Sequence, residues 1–245
     1  MTIKSQFDGG VLTLRLQDHK SRNALDLETV ASLRSALAGA RENDALRFVV
    51  LESGLNRVFS LGMNLQKLDS KKGVSTWEAF EAVSDYAELL IDLAAMPVPT
   101  LAVVEGIAAA GGVELACVCD TIIGTDNASF SIAQLRKGIF PFITSAVLVP
   151  IIGQARFLHW ALSGQSYHAK RLFELGLIHQ VCSAKERERT VEIFAERVIS
   201  FDAQTLRAGI AAVRAEAESE IRSRIRRALA LFTLNCLARG KSSAE

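Results

Sequence analysis

The chain has 245 residues, 49% of them hydrophobic, with 28 Lys and Arg against 27 Asp and Glu. That length holds one large domain, or a core domain with a smaller appendage, and the apolar fraction supports a sizeable core. A net charge of +1 removes the electrostatic case for a dedicated nucleic-acid binder or a binder of acidic membranes, so the expected partner is a small molecule or another copy of the chain.

The four cysteines, at 117, 119, 182 and 236, include no CxxC pair and no disulfide framework, and are expected as reduced thiols in a cytoplasmic protein. Cys117 and Cys119 are two apart and would point to different sides of a helix, so no metal site is expected. The segment Met1 to Phe7 lacks a basic stretch followed by an apolar one, so no secretory signal is expected. The most apolar region, Met96 to Cys119, is interrupted by Pro97, Pro99, Glu105 and Glu114, which argues against a membrane span.

In chain order, Ile3 to Phe7 and Val11 to Leu16 alternate apolar with polar residues around Asp8-Gly9-Gly10 and predict an opening β-hairpin. A polar loop follows, and from Leu27 the apolar positions Leu27, Val30, Leu33, Leu37 and Ala40 recur at helical spacing behind Asp26, a candidate N-cap. Leu46 to Leu51 reads as a buried strand, and Thr76 to Met96 as a long helix ended by Pro97 and Pro99. Thr100 to Val104 is another apolar strand. Short elements follow: a helix to Cys119, a strand at Thr121 to Gly124, and a strand within Ala128 to Ile132. Gly138 to Ile143 reads as an apolar loop whose Pro141 suits the approach to a helix. From Ser145 the pattern is helical almost throughout, with interruptions at Gly153, at Ser163-Gly164 and at Gly176 to Ile178, and Ala184 to Leu237 reads as unbroken helix. The rhythm of strand then helix, three times before residue 125, predicts an α/β core over residues 1–180 and a helical region over 181–245. In that region Ile221, Ile225, Leu229, Phe232 and Leu234 fit either a helix packed on its own core or a subunit contact.

The stretch Gly106-Ile107-Ala108-Ala109-Ala110-Gly111-Gly112-Val113-Glu114 is the chemically pointed part of the chain. Four residues separate Gly106 from Gly111, as in a phosphate-binding loop, but Gly112 and Val113 stand where Lys and Ser or Thr are required, and Glu114 would repel a phosphate. The chain has no GxSxG, and the histidines at 19, 159, 168 and 179 form no HExxH. Backbone donors and a carboxylate remain. Leu61-Gly62-Met63 and Ala110-Gly111-Gly112 each follow a predicted strand, and one N–H from each could converge on one oxygen, an oxyanion hole suited to a thioester enolate, with Glu114 alongside as proton acceptor. Spacing alone favours a structural role, in which the glycines serve packing and Glu114 complements a helix N-terminus.

Phe59-Ser60-Leu61-Gly62-Met63-Asn64-Leu65, followed by Pro99 to Ala116, resembles the paired signature of the enoyl-CoA hydratase/isomerase (crotonase) superfamily. The likeness runs from Asn23-Ala24-Leu25 to Leu162-Ser163-Gly164-Gln165 and Leu175-Gly176-Leu177-Ile178. It implies a spiral core of ββα units, a C-terminal helical trimerisation region giving trimers or dimers of trimers, and an acyl-CoA or acyl-carrier thioester as substrate, with no cofactor beyond the coenzyme A it carries. The N–H groups of Met63 and Gly111, beside Gly62, would form the oxyanion hole, and Lys20 matches a position that often approaches the CoA phosphates. Glu114 occupies the first catalytic carboxylate position; the second is Gln134, and an amide cannot give and recover a proton as a carboxyl group does. Met63 and Asn64 replace a more usual small residue and aspartate. Phe140 to Ser145, including Phe142, replaces a glycine-rich turn and would reshape the acyl pocket. One carboxylate suits double-bond isomerisation of an enoyl-CoA; the alternatives are a hydratase in which Gln134 positions water, and a non-catalytic thioester-binding subunit.

Overall fold

The computed structural model describes residues 2–63 and 76–242. Asn64 and Leu65 of the first motif lie outside the described residues, as does the side chain of Cys236. The hairpin forms as predicted, with β1 (Ile3–Asp8) antiparallel to β2 (Val11–Leu16) around Gly9 and Gly10. After the two-residue β3 (Ala24–Leu25), α1 (Leu27–Arg41) starts behind Asp26, whose side chain accepts from the Thr29 N–H and so satisfies one of the unpaired donors of the first turn.

Three strand–strand–helix units then stack. The first is β4 (Phe48–Ser53), β5 (Val58–Ser60) with the short β6 (Gly62–Met63), and α2 (Thr76–Ala94); the second is β7 (Thr100–Val104), β8 (Ile107–Ala109) and α3 (Gly111–Cys117). The third is β9 (Thr121–Thr125), β10 (Ser129–Ser131), a 3₁₀ turn at Ala133–Lys137, and α4 (Phe142–Ile152). The first strand of each unit joins a six-stranded sheet in the order β1-β2-β4-β7-β9-β12, and the second joins a four-stranded sheet in the order β11-β10-β8-β5. Within each sheet the successive units pair parallel, β4 to β7 to β9 and β5 to β8 to β10. This is the ββα spiral expected from the resemblance.

The apolar strands are apolar throughout because both of their faces are covered. Val49, Leu51, Ala102 and Val104 face the main core, while the alternating Phe48, Val50, Leu101 and Val103 pack on the other side against Val191, Phe194, Ala195 and Val198 of α7 (Arg187–Ser200). Before α7 the chain runs through α5 (Gln154–Ser163), β11 (Ser166–His168), α6 (Ala169–Glu174) and β12 (Gln180–Cys182). The 40-residue α8 (Ala203–Ser242) follows.

Several boundaries differ from the sequence reading. Residues 166–168 and 180–182, read as part of the helical stretch, are strands, since each pairs with an existing sheet, β11 with β10 and β12 with β9. The predicted unbroken helix from Ala184 is interrupted at Phe201 and Asp202, where Phe201 adopts extended backbone and the Asp202 side chain accepts from Thr205 N–H to start α8. Helix α4 begins at Phe142, directly after Pro141, inside the segment read as a loop. On α8, Ile225, Ala228 and Leu229 are buried and Ile221 and Phe232 pack partly buried against the core, a stripe at helical spacing that lies on the chain's own core, while Leu231 and Leu234 are exposed. No described helix is long and apolar enough to cross a membrane, and no cluster of metal-ligating side chains occurs among the described residues.

Candidate functional site

The site is built where the first two units meet. Chain reversal after β5 puts Gly62 at φ +77, and a Cβ there would lie 2.5 Å from the Gly111 nitrogen and 2.7 Å from the Ala109 carbonyl oxygen. The two turns therefore touch backbone to backbone, which only glycine permits. A Cβ on Gly111 would in turn sit 3.1 Å from the Met63 nitrogen and 2.9 Å from Tyr86 Oη. Met63 N–H and Gly111 N–H thus border one small space, and Gly111, as the first residue of α3, has no acceptor for its N–H within its own helix. Ala110, just before it, is held at φ 47 and ψ −115, a strained conformation for a residue with a Cβ and of the kind that clusters at functional turns.

Asn23 anchors the first turn. It is 1% exposed, and its amide donates to Ser53 Oγ at 2.9 Å and to the Phe59 carbonyl at 3.0 Å, while its Oδ1 accepts from Asp18 N–H at 2.8 Å. Its backbone carbonyl accepts from Ser60 Oγ at 2.7 Å, and the same hydroxyl oxygen accepts from Gly62 N–H at 3.1 Å. One buried amide thus fixes the entry to the Gly62-Met63 turn.

Glu114 lies on the first turn of α3 and is 4% exposed. Its Oε2 is 2.8 Å from Tyr86 Oη, and its Oε1 accepts from Thr144 Oγ1 at 2.5 Å. The Tyr86 hydroxyl also lies 2.7 Å from the Gly111 carbonyl oxygen. Gln134, on the 3₁₀ turn, donates from Nε2 to Thr144 Oγ1 at 2.9 Å, and its buried Oε1 has no hydrogen-bond partner among the described residues. Burial pushes the Glu114 carboxyl above the ordinary glutamate value, against the lowering effect of the bonds from Thr144 and Tyr86. Burial, with Glu114 beside it, pushes the Tyr86 phenol well up.

Glu114, Gln134, Met63, Gly111 and Phe142 all line one cavity of about 70 Å³, completed chiefly by Val83 and Tyr86 of α2, Phe140 and Ile143, and Phe232 of α8. Glu114 is the only carboxylate among these residues. Gly62 stands behind Gly111 and shapes the wall. Lys20 is exposed in the loop held by Asp18, which accepts from its N–H, and does not line the cavity. Phe142 also borders a second, larger cavity of about 350 Å³ between α4 and α8, whose rim carries Arg224 and Arg227. Sequence reasoning missed Tyr86 and Thr144. The available signal for Tyr86 was a phenol on the apolar stripe of α2, since a buried tyrosine hydroxyl needs a partner.

The family described as enoyl-CoA hydratase/isomerase matches residues 6–235 of the chain. The zebrafish (Danio rerio) mitochondrial enoyl-CoA hydratase domain-containing protein 3 is 28% identical over 81% of this chain and 67% of its own length. The 4-chlorobenzoyl coenzyme A dehalogenase-2 of an Arthrobacter species is 27% identical over 80% of this chain and 71% of its own. Among solved structures, an enoyl-CoA hydratase from Bacillus halodurans superposes with a TM-score of 0.88 at 21% identity, covering 96% of this chain and 95% of that one. With the spiral core described above, these findings establish that the chain belongs to the enoyl-CoA hydratase/isomerase (crotonase) family.

Proposed function

We propose that the chain isomerises an enoyl-CoA, moving a double bond between the 3,4 and 2,3 positions with Glu114 as the sole carboxylate. The observation that carries this reading is that, among the described residues lining the cavity, Glu114 alone can take up and return a proton as a carboxylate. Glu114 removes a proton from carbon 2 of the 3-enoyl thioester, and the negative charge moves to the thioester oxygen. The N–H groups of Met63 and Gly111 stabilise that oxygen, as backbone donors do in an oxyanion hole. The same carboxyl group then delivers the proton to carbon 4. The apolar walls, Val83, Ile139, Phe140 and Ile143 among them, exclude water and keep the transfer within the substrate.

Coenzyme A enters only as part of the substrate, with Lys20 as a candidate contact for its phosphates; the name of the Arthrobacter relative supports a CoA thioester. Exposed Leu231 and Leu234 on α8 support assembly with further copies, as trimers or dimers of trimers. The test is conversion of 3-enoyl-CoA to 2-enoyl-CoA, with a loss of at least about 10²-fold in Glu114→Gln, the scale of a removed general base. Activity surviving in that variant sinks the reading.

A second reading, hydration of a 2-enoyl-CoA, is favoured by the buried Gln134 Oε1, which has no partner among the described residues and suits a hydrogen bond from water. Gln134→Glu should then raise hydration; no change or a fall counts against it.

A further inference from the structure

The site holds one more proton-bearing group than this reaction uses. Tyr86 Oη faces two oxygens, Glu114 Oε2 at 2.8 Å and the Gly111 carbonyl at 2.7 Å. A phenol has one proton, and a carbonyl can only accept. With Glu114 as carboxylate, one of the two contacts would bring oxygens together with no proton between them, in a buried place where unmet polar groups are costly. With a proton on Oε2 both contacts become hydrogen bonds, from Glu114 to Tyr86 and from Tyr86 to Gly111. The other carboxyl oxygen is already served, because Gln134 donates to Thr144 and Thr144 gives its only hydroxyl proton to Oε1.

We infer that Glu114 rests as the neutral acid with its proton on Oε2, and that Tyr86 is a positioning residue that accepts from that proton and ties the acid to the Gly111 turn. Forming the base then means that this proton leaves to solvent and the Tyr86 proton swings from the Gly111 carbonyl to Oε2. The carboxylate that results accepts from both Tyr86 and Thr144. Among the described residues, the titratable groups near Glu114 are Tyr86 from α2, which bonds it, and Cys117 from its own helix, and Glu114 pushes both of them up. The 3₁₀ turn, α4 and α8 present Gln134, Thr144 and Phe232, none of which titrates. The bond from Tyr86 lowers the Glu114 carboxyl against the upward push of burial. Its removal therefore raises the pH at which the base forms.

The catalytic consequence rests on the isomerase reading, but the proton placement does not, so the test reads the proton directly. Infrared difference spectra of protein labelled with ¹³C at glutamate carboxyls should show a neutral-acid carbonyl band that persists above the 4.5 of a free glutamate, absent in Glu114→Gln. In Tyr86→Phe the band should move to higher frequency and titrate at higher pH, and the acid limb of the kcat–pH profile should move the same way. Thr144→Val, which strips the donor from Oε1 but leaves Tyr86, should retain the acid band, and keeps the test open if Tyr86→Phe does not fold. Absence of the band from the unsubstituted protein, its loss in Thr144→Val, or an unchanged titration in Tyr86→Phe overturns the inference. A band without isomerase activity refutes the proposed function and leaves the proton placement standing.

Discussion

Replacing Gly62 with alanine tests whether the contact between the two turns sets the donor geometry. At φ +77 an L-residue costs about 1–2 kcal/mol through its own backbone. The added Cβ would also meet the Gly111 nitrogen at 2.5 Å, against 3.4 Å or more for ordinary contact. Both partners are backbone, so no side chain can swing aside, and the turns must part by most of an ångström. A displacement of about 1 Å at a reacting centre costs about 10²-fold, and loss of one oxyanion donor about 10²–10³-fold in kcat, or roughly 2.7–4 kcal/mol. Gly9→Ala supplies the control. It sits in the β1–β2 turn at φ +53 with nothing within 4 Å of the new Cβ, so it carries the dihedral cost alone. Thermal melts and initial rates on 3-enoyl-CoA, run in parallel, should show both variants destabilised and only Gly62→Ala inactive. A Gly62→Ala enzyme within about threefold of the parent rate, less than about 1 kcal/mol of barrier, would refute the reasoning.

Other expectations follow from the same geometry. Asn23→Ala leaves the Asp18 N–H and the Phe59 carbonyl without their buried partner, at about 1–3 kcal/mol each, which denaturant titration should show as a large fall in midpoint. Phe142→Ala opens the site cavity toward the larger space between α4 and α8. Ratios of kcat/KM across acyl lengths should shift toward longer chains, and an unchanged ratio would show that Phe142 is no barrier. Glu114→Gln should gain stability relative to the parent as pH rises. The buried carboxyl titrates above its unfolded value of 4.5, so between the two values the folded state holds a proton that the unfolded state has lost, and parent stability falls with rising pH there. Melting curves across that range that stay parallel for the two proteins would contradict this.

The sequence was most informative where one local pattern matched one local cause. The Asp26 cap, the Gly9-Gly10 hairpin and the proline-bounded end of α2 follow from short-range chemistry, and Glu114 stood out as a lone carboxylate in an apolar run. Ile107–Ala109 was less legible, being a strand inside a glycine-rich stretch that exists because β5 and β10 flank it. The strands β11 and β12 are three residues each and largely exposed or half-buried, so no alternation could announce them; pairing with β10 and β9 makes them strands. Tyr86 and Thr144 lie 28 residues before and 30 after Glu114; a phenol on the apolar stripe of α2 signals that Tyr86 needs a partner, but nothing local says that the partner is Glu114. Gln134 was visible as a missing carboxylate, but its link to Glu114 through Thr144 required the packing of the 3₁₀ turn against α4.

Phe232 closes the cavity from a helix that begins some ninety residues after Glu114 in the chain. A ribosome releases the amino-terminal units first, and these already contain both turns and the carboxylate. The cavity remains a cleft with one wall absent until α8 is complete and docks through Ile225, Ala228 and Leu229. Closure of the cavity therefore waits for α8, and a nascent or clipped chain lacking that helix would carry both turns and Glu114 in place yet leave them open to water.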